Sequence, residues 1–312
     1  MRRAVYAAAA GACAAGAARL AYSAMSRRPP GGPKAWSRTN HRGEPVTLLE
    51  GPAVAAGAIT GVLAQGVHAA LAPAVGWPGS PGWRRAAAMA LGGVGAAAFG
   101  AYDDLAGSGD RRGFRGHLGA LRHGEVTTGA VKLGGIGATG INSAALAGGS
   151  PADVILNAGL VAGGANLINL FDLRPGRAIK VAAVSGVLIG AAGQDGVAAP
   201  LAAAVALLPE DLGERAMLGD AGANALGAML GASAAGLSRP ARIALLAGIA
   251  GLTAASEKVS FTKVIQRTPA LNWLDMLGRR PAIPAQPGPV DCAGAATSTR
   301  SAEKPDPLPP DE

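Results

Sequence analysis

The chain has 312 residues, of which 49% are hydrophobic, 15% charged and 4% aromatic, with 48 glycines and a net charge of +8. Soluble domains carry roughly 25% charged residues, and a soluble core made of so much Ala and Gly would be poorly filled, whereas membrane helices use small residues to bring their backbones together. The basic residues lie between apolar runs rather than on one soluble face, which argues against nucleic acid and for positive loops at a membrane surface. Cys13 and Cys292 form no CxxC or CxxH pattern, so neither a disulfide framework nor a structural zinc site is expected.

A membrane-spanning helix needs about 20 apolar residues, and nine stretches near that length can be drawn along the chain. The first, 4–25, follows Met-Arg-Arg and is rich in Ala, a pattern that also resembles a cleaved secretory segment. Next come 52–75, 84–102, 127–149 and 152–171. The sixth and seventh, 178–194 and 196–209, are separated only by Gln194, Asp195 and Gly196. The last two are 217–237 and 241–258. The predicted fold is an all-α polytopic membrane bundle of about nine transmembrane helices within residues 1–280. The segment 281–312 turns Pro-, Ser- and acid-rich and is predicted to be a disordered cytoplasmic tail.

Lys and Arg set the orientation. One alternating set of loops holds Arg27, Arg28, Lys34, Arg38 and Arg42, then Arg111, Arg112, Arg115 and Arg122, then Arg174, Arg177, Lys180 and Arg215, and finally Lys258, Lys263, Arg267, Arg279 and Arg280. The other set holds only Arg2, Arg3, Arg84, Arg85, Arg239 and Arg242. The richer set is expected in the cytoplasm, with the N-terminus outside, and this balance opposes the cleaved-segment reading.

The chemistry-bearing residues fall at the ends of these spans. Asp103 and Asp104 close the third, and adjacent carboxylates repel unless a cation compensates them; Mg²⁺ with phosphate oxygens is one solution, an acidic helix cap the plainer one. Lys132 lies about one turn into the fourth, as a phosphate-neutralising cation, a partner for an Asp, or a residue that simply snorkels to the interface. Asn166, Asn169 and Asp172 recur every three residues at the end of the fifth and share a helix face, for a polar ligand or for neighbouring helices. Arg174 and Arg177 follow, suited to pyrophosphate and equally to membrane anchoring. Asp220, in Met217-Leu218-Gly219-Asp220-Ala221-Gly222, opens the eighth, where the helix dipole favours an anion and an ordinary N-cap is also at home. All these elements are expected to meet one membrane face.

The ordered set of Asp-Asp, Lys, Asn-x-x-Asn-x-x-Asp and Gly-Asp-x-Gly resembles the polyprenyl-phosphate N-acetylhexosamine-1-phosphate transferases, which include phospho-N-acetylmuramoyl-pentapeptide transferase, over roughly residues 36–265. The segment Arg42–Gly51 is loosely similar to that family's first cytoplasmic loop. The resemblance implies Mg²⁺-dependent transfer of a sugar 1-phosphate from a UDP-sugar to a polyprenyl phosphate at the cytoplasmic face of the plasma membrane, in cell-envelope glycan synthesis. It implies catalytic roles for Asp103, Asp104, Lys132 and Asp172, metal contacts from Asp104 and Asp220, and substrate binding by Asn166, Asn169, Arg174 and Arg177. Its partners would be the lipid phosphate and the UDP-sugar, with a homodimer allowed for and no nucleic acid.

The chain also departs from the family pattern. Pro175 stands where the family has a second Asp, Met217 where it has an aromatic residue, and Arg267–Asp275 where it has a His-rich loop, with no tenth span. These changes strike the nucleotide-sugar side more than the metal side. A non-catalytic relative that binds polyprenyl phosphate or partner proteins is the alternative. A prenyltransferase is disfavoured because Leu105, Ala106, Gly107 and Ser108 follow the Asp pair, without the further Asp such enzymes need.

Overall fold

The structure, a computed structural model, describes residues 2–71, 82–106 and 127–281. The loop arginines 111, 112, 115 and 122, Cys292 and the segment 282–312 lie outside the described residues.

Each of the nine apolar stretches forms a helix. In chain order these are α1 (Arg2–Arg27), α3 (Glu50–Leu71), α4 (Gly82–Ala106), α5 (Thr128–Ala147), α6 (Pro151–Phe171), α7 (Arg177–Ala191), α8 (Ala198–Leu212), α9 (Gly219–Ala234) and α10 (Arg239–Ser256). A short α2 (Pro33–Trp36) precedes α3, and α11 (Phe261–Arg267) and α12 (Pro269–Met276) follow α10. Local signals explain many of the ends. Ser150 caps α6 by accepting from the Asp153 N–H, with Pro151 at the first turn. Thr127 caps α5 through the Ala130 N–H. Between α7 and α8 the chain breaks at Gly193, whose φ is 85°, and passes through a 3₁₀ turn at Asp195–Val197.

The fold is all-α, but the expectation of nine membrane spans is met only in part. Among the described residues, three helices can cross a membrane by length and composition: Ala4–Arg27, Glu50–Ala70 and Pro151–Phe171. A fourth arises if α10 and α11, bent by 97°, count as one broken span. The reasons are physical. At 25 and 20 residues α4 and α5 are long enough but diluted by Gly and polar residues. By contrast α7 and α8 have 15 residues each and α9 has 16. At 1.5 Å per residue such helices reach about 22–24 Å, short of a hydrocarbon core of about 30 Å. Large apolar side chains nonetheless face outward, including Leu20, Ile155, Val187 and Leu188, as lipid-facing surfaces do.

The centre of the bundle is α9, which packs against α3, α4 and α6. All of its residues are buried except Asp220 and Ala232, and most of them are Ala or Gly. Gly164 of α6 faces Gly227 of α9 so closely that a Cβ on either would overlap the other's carbonyl oxygen.

One element has no counterpart in the hydropathy pattern. Strands β1 (Ser37–Thr39) and β2 (Pro45–Thr47) form an antiparallel hairpin with Arg38 opposite Val46. Trp36, buried beneath it, donates its indole N–H to the Pro30 carbonyl at 2.7 Å. Thr47 continues the ladder onto the chain entering α9, receiving the Met217 N–H at 3.0 Å and donating to the Arg215 carbonyl at 3.3 Å. The hairpin thus fixes the segment from which Asp220 emerges.

Candidate functional site

The C-terminal ends of α4, α6 and α8 and the N-terminal ends of α3, α5, α7 and α9 gather at one end of the bundle. Antiparallel alternation places them there, and close helix contact brings the side chains into reach. At Gly100, one turn before the Asp pair, a Cβ would overlap the Asp220 carbonyl. That glycine lets α4 deliver Asp103 and Asp104 directly onto the start of α9. Gly219 opens α9 with a φ of 58°, a left-handed turn that leaves Asp104 room beside it.

The two neighbouring acids do different things. Asp104 accepts the Asp220 N–H at 3.0 Å on one oxygen and the Ala221 N–H at 2.9 Å on the other. It is a carboxylate supplied in trans to the unsatisfied donors and positive dipole end of α9. Its backbone carbonyl in turn accepts from the Arg38 guanidinium of the hairpin. Asp103 instead pairs with Lys132 at 2.7 Å. The same ammonium lies 2.5 Å from Asp220. Asp103 also meets the Thr128 hydroxyl and the Asp220 carboxyl. Two carboxylates in mutual contact need a cation or proton between them, and Lys132 is that cation. Asp104 lies alongside, its oxygens taken by the α9 N–H groups, so three carboxyl groups surround a single ammonium that two of them contact.

Asp172 caps the end of α6, its N–H donating to the Asn169 carbonyl at 3.1 Å. Its carboxyl interacts with the Gly219 N–H, so α6 also holds the start of α9. Asp103, Asp104, Lys132, Asp172 and Asp220 therefore converge as the sequence order suggests. The remaining expected site residues spread outward. Asn166 donates to the Thr253 hydroxyl at 3.0 Å and ties α6 to α10. Arg177 is buried and grips Asp275 of α12 with two bonds of 2.7 and 3.0 Å. Arg174 lines a cavity of about 290 Å³ with Asp172, Asp211, Glu214, His41 and Asn40.

Several residues of this region were not singled out in the sequence. Glu50, Asp211 and Glu214 are all buried carboxyls at the same end. Glu214, with a φ of 57°, is satisfied by Arg42 at 2.8 Å and Asn40 at 2.9 Å. Neither oxygen of Glu50 and only one of Asp211 has a hydrogen-bond partner. Each sits where an acid reads as an ordinary helix cap or loop residue, so local sequence carries no signal of burial. His41, on the hairpin loop, is held below the usual imidazole pKa by burial and then by the nearby charge of Arg174. At the opposite end of the bundle Arg242 bridges Asp153 at 2.9 Å and Asn157 at 2.8 Å.

Among the described residues no group of three or more His, Cys, Asp and Glu side chains is arranged to hold a metal ion. Asp103 and Asp220, with Lys132 between them, are nevertheless hard oxygen donors with uncompensated charge at their side, a donor set suited to Mg²⁺ if the ammonium moves. Compared with protein-family models, with curated proteins and with solved structures, the chain matches none.

Proposed function

We propose that the protein transfers an N-acetylhexosamine-1-phosphate, or a related sugar phosphate, from a UDP-sugar to a polyprenyl phosphate, with Mg²⁺, in cell-envelope glycan synthesis. The observation that carries this reading is the single ammonium of Lys132 set between Asp103 and Asp220, with Asp104 anchored beside them on the start of α9. The reading includes nine membrane-crossing helices with this end in the cytoplasm. Nine helices at the expected positions and the basic residues at this end support it. Helices as short as α7 and α8 fit where the bilayer thins locally around a bundle.

In the reaction an acceptor phosphate oxygen bonds to the β-phosphorus of the donor. The bond from that phosphorus to the bridging oxygen breaks, and UMP leaves. A phosphate monoester loses its second proton near pH 6, at about the pKa of such groups, so the acceptor arrives as an oxyanion and needs no strong base. Its obstacle is charge repulsion. Lys132, already desolvated and held by two carboxylates, turns its ammonium to the arriving phosphate. Asp104 and Asp172 fix the start of α9 and hence the position of Asp220. Arg174, in the cavity lining, meets donor phosphate. Mg²⁺ held by Asp103 and Asp220 would supply neutralisation of the pyrophosphate.

A second reading is a non-catalytic protein that binds polyprenyl phosphate. Lys132 filling the space between Asp103 and Asp220 favours it, as does the lack of a metal-holding group among the described residues. The experiment incubates purified full-length protein with polyprenyl phosphate, Mg²⁺ and a panel of UDP-sugars and measures UMP. Release that disappears in Asp220→Ala is the expected result. No release with any donor, with polyprenyl phosphate still bound, selects the second reading.

A further inference from the structure

The cavity between the β1–β2 hairpin and the ends of α6 and α8 is acidic in an unusual way. It measures about 290 Å³, close to the lower end of small-molecule sites at roughly 300 Å³. Three buried carboxyls line it, Asp172, Asp211 and Glu214. Glu214 is already met by Arg42 and Asn40. Asp172 and Asp211 have only the backbone N–H groups of Gly219 and Gly176. Asp211 is 2% exposed, and its Oδ2 has no hydrogen-bond partner. A buried polar atom without a partner is costly, so this oxygen calls for a donor from a ligand.

The cations around it lend Asp211 their charge without hydrogen-bonding its free oxygen, and Arg174 lines the cavity itself. Lys180 donates to the Asp275 carbonyl at 2.7 Å and Arg279 to the Asp275 carboxylate at 2.8 Å. Arg174 folds one guanidinium nitrogen onto its neighbour's carbonyl at 3.0 Å, and His41 is held toward its neutral form. Among the described residues no three metal-ligating side chains converge, and an occupant carrying hydrogen-bond donors answers the unpartnered oxygen directly. A protonated amine is a good one. It carries three donors and one charge, enough for the free Asp211 oxygen and the neighbouring Asp172 carboxyl.

We propose that this cavity binds its ligand through a free, protonated amino group, and that the donor of the transfer reaction carries an unacetylated amino sugar. The second half rests on the proposed transferase function; the first does not. An acetamide would bring one neutral N–H in place of the ammonium and would leave the charge of the cavity unmet.

The test measures binding to full-length protein in nanodiscs by calorimetry, with two pairs of probes. UDP-glucosamine is expected to bind about tenfold or more tightly than UDP-N-acetylglucosamine, the scale of a desolvated charge pair. Asp211→Asn, which keeps shape, is expected to abolish that preference. Free glucosamine against free N-acetylglucosamine repeats the comparison without nucleotide. If neither UDP-sugar binds but glucosamine is preferred and Asp211→Asn removes the preference, the donor reading fails and the amine site stands. Equal binding within both pairs, no binding of either free sugar when the nucleotide pair also fails to discriminate, or a preference that survives in a folded Asp211→Asn protein overturns the amine site.

Discussion

Two buried carboxylate–cation assemblies lie at the same end of the bundle, and their charge balance is opposite. Around Lys132, two carboxyl groups share one ammonium, with the Asp104 carboxyl alongside on the α9 N–H groups. Around Asp275, one carboxylate is held by Arg177 and Arg279, with Lys180 on its backbone carbonyl. The second has cations in excess of acids, so its carboxylate is fully held, and its bonds fasten α12 to α7, although Arg279 Nε keeps no partner among the described residues. The first is short of positive charge, and a further cation or a proton is what would balance it. Identical residue types thus make a structural clamp in one place and a candidate site in the other, and the deciding quantity is the ratio of acids to cations.

The largest effect should come from breaking the cation-rich assembly. Asp275→Ala strands the buried Arg177 guanidinium and is expected to lower folding stability by about 3–5 kcal/mol. Unfolding of the detergent-solubilised protein by SDS titration measures this. Activity per folded molecule should be retained, and an equal loss of activity would mean that the clamp belongs to the site.

The cation-poor assembly should answer in the reverse sense. Asp220→Asn removes a charge from a group that already lacks compensation, so stability should change by less than about 1 kcal/mol. UMP release should fall by about 10²–10³-fold, the scale of losing one electrostatic stabiliser of the transition state. Parallel thermal-shift and UMP assays separate the two outcomes. A large stability loss with little loss of turnover would make this cluster a second clamp.

Asp104 stands between the two kinds. Its oxygens are both occupied by α9 N–H groups, which makes it a positioning residue in this geometry. Asp104→Ala should cost about 1–2 kcal/mol, as losing a helix cap does, and Asp104→Asn about half that because the amide oxygen still accepts. Turnover should follow the same order, Asn retaining more than Ala. Equal inactivation by both would assign Asp104 a direct charge role in place of positioning.

The asymmetry between these acids shows what the sequence could and could not convey. The nine helices were legible because apolar runs and their breaks are local, down to the interruption near Gln194. The meeting of Asp103, Lys132, Asp172 and Asp220 was legible from helix alternation alone, since each lies at an end that antiparallel packing brings to one face. The division of labour between Asp103 and Asp104 was not. Adjacent acids look alike in a pattern, and only the position of α9 decides which one caps it. Arg177 looked like a phosphate ligand because its partner Asp275 lies 98 residues on. The strands β1 and β2 have three residues each, too few for an alternation to register, and their pairing is fixed by Thr47 and the 215–217 segment.

The smallest expected effect is a difference in how the clamp and the hairpin respond to acid. Burial works against the charged form of Asp275, but its hydrogen bonds to Arg177 and the charges of Arg177 and Arg279 outweigh this and hold its pKa below the ordinary carboxylate value. A carboxyl depressed in the folded state stabilises the fold above its unfolded pKa of about 4, and loses that stabilisation as pH falls through the folded value. From pH 8 to 5 the clamp should therefore not weaken. His41 is also depressed, so below its unfolded pKa of about 6.5 the unfolded chain takes up the proton first, and the hairpin should lose a little stability across the same range. Hydrogen-exchange protection factors, corrected for intrinsic rates, should stay level in α12 and decline slightly in the hairpin between pH 8 and 5. His41→Gln should level the hairpin as well. A decline in α12 over that range would mean that the Asp275 carboxyl is not held by its arginines, and the contrast between a cation-rich and a cation-poor assembly would lose its reference point.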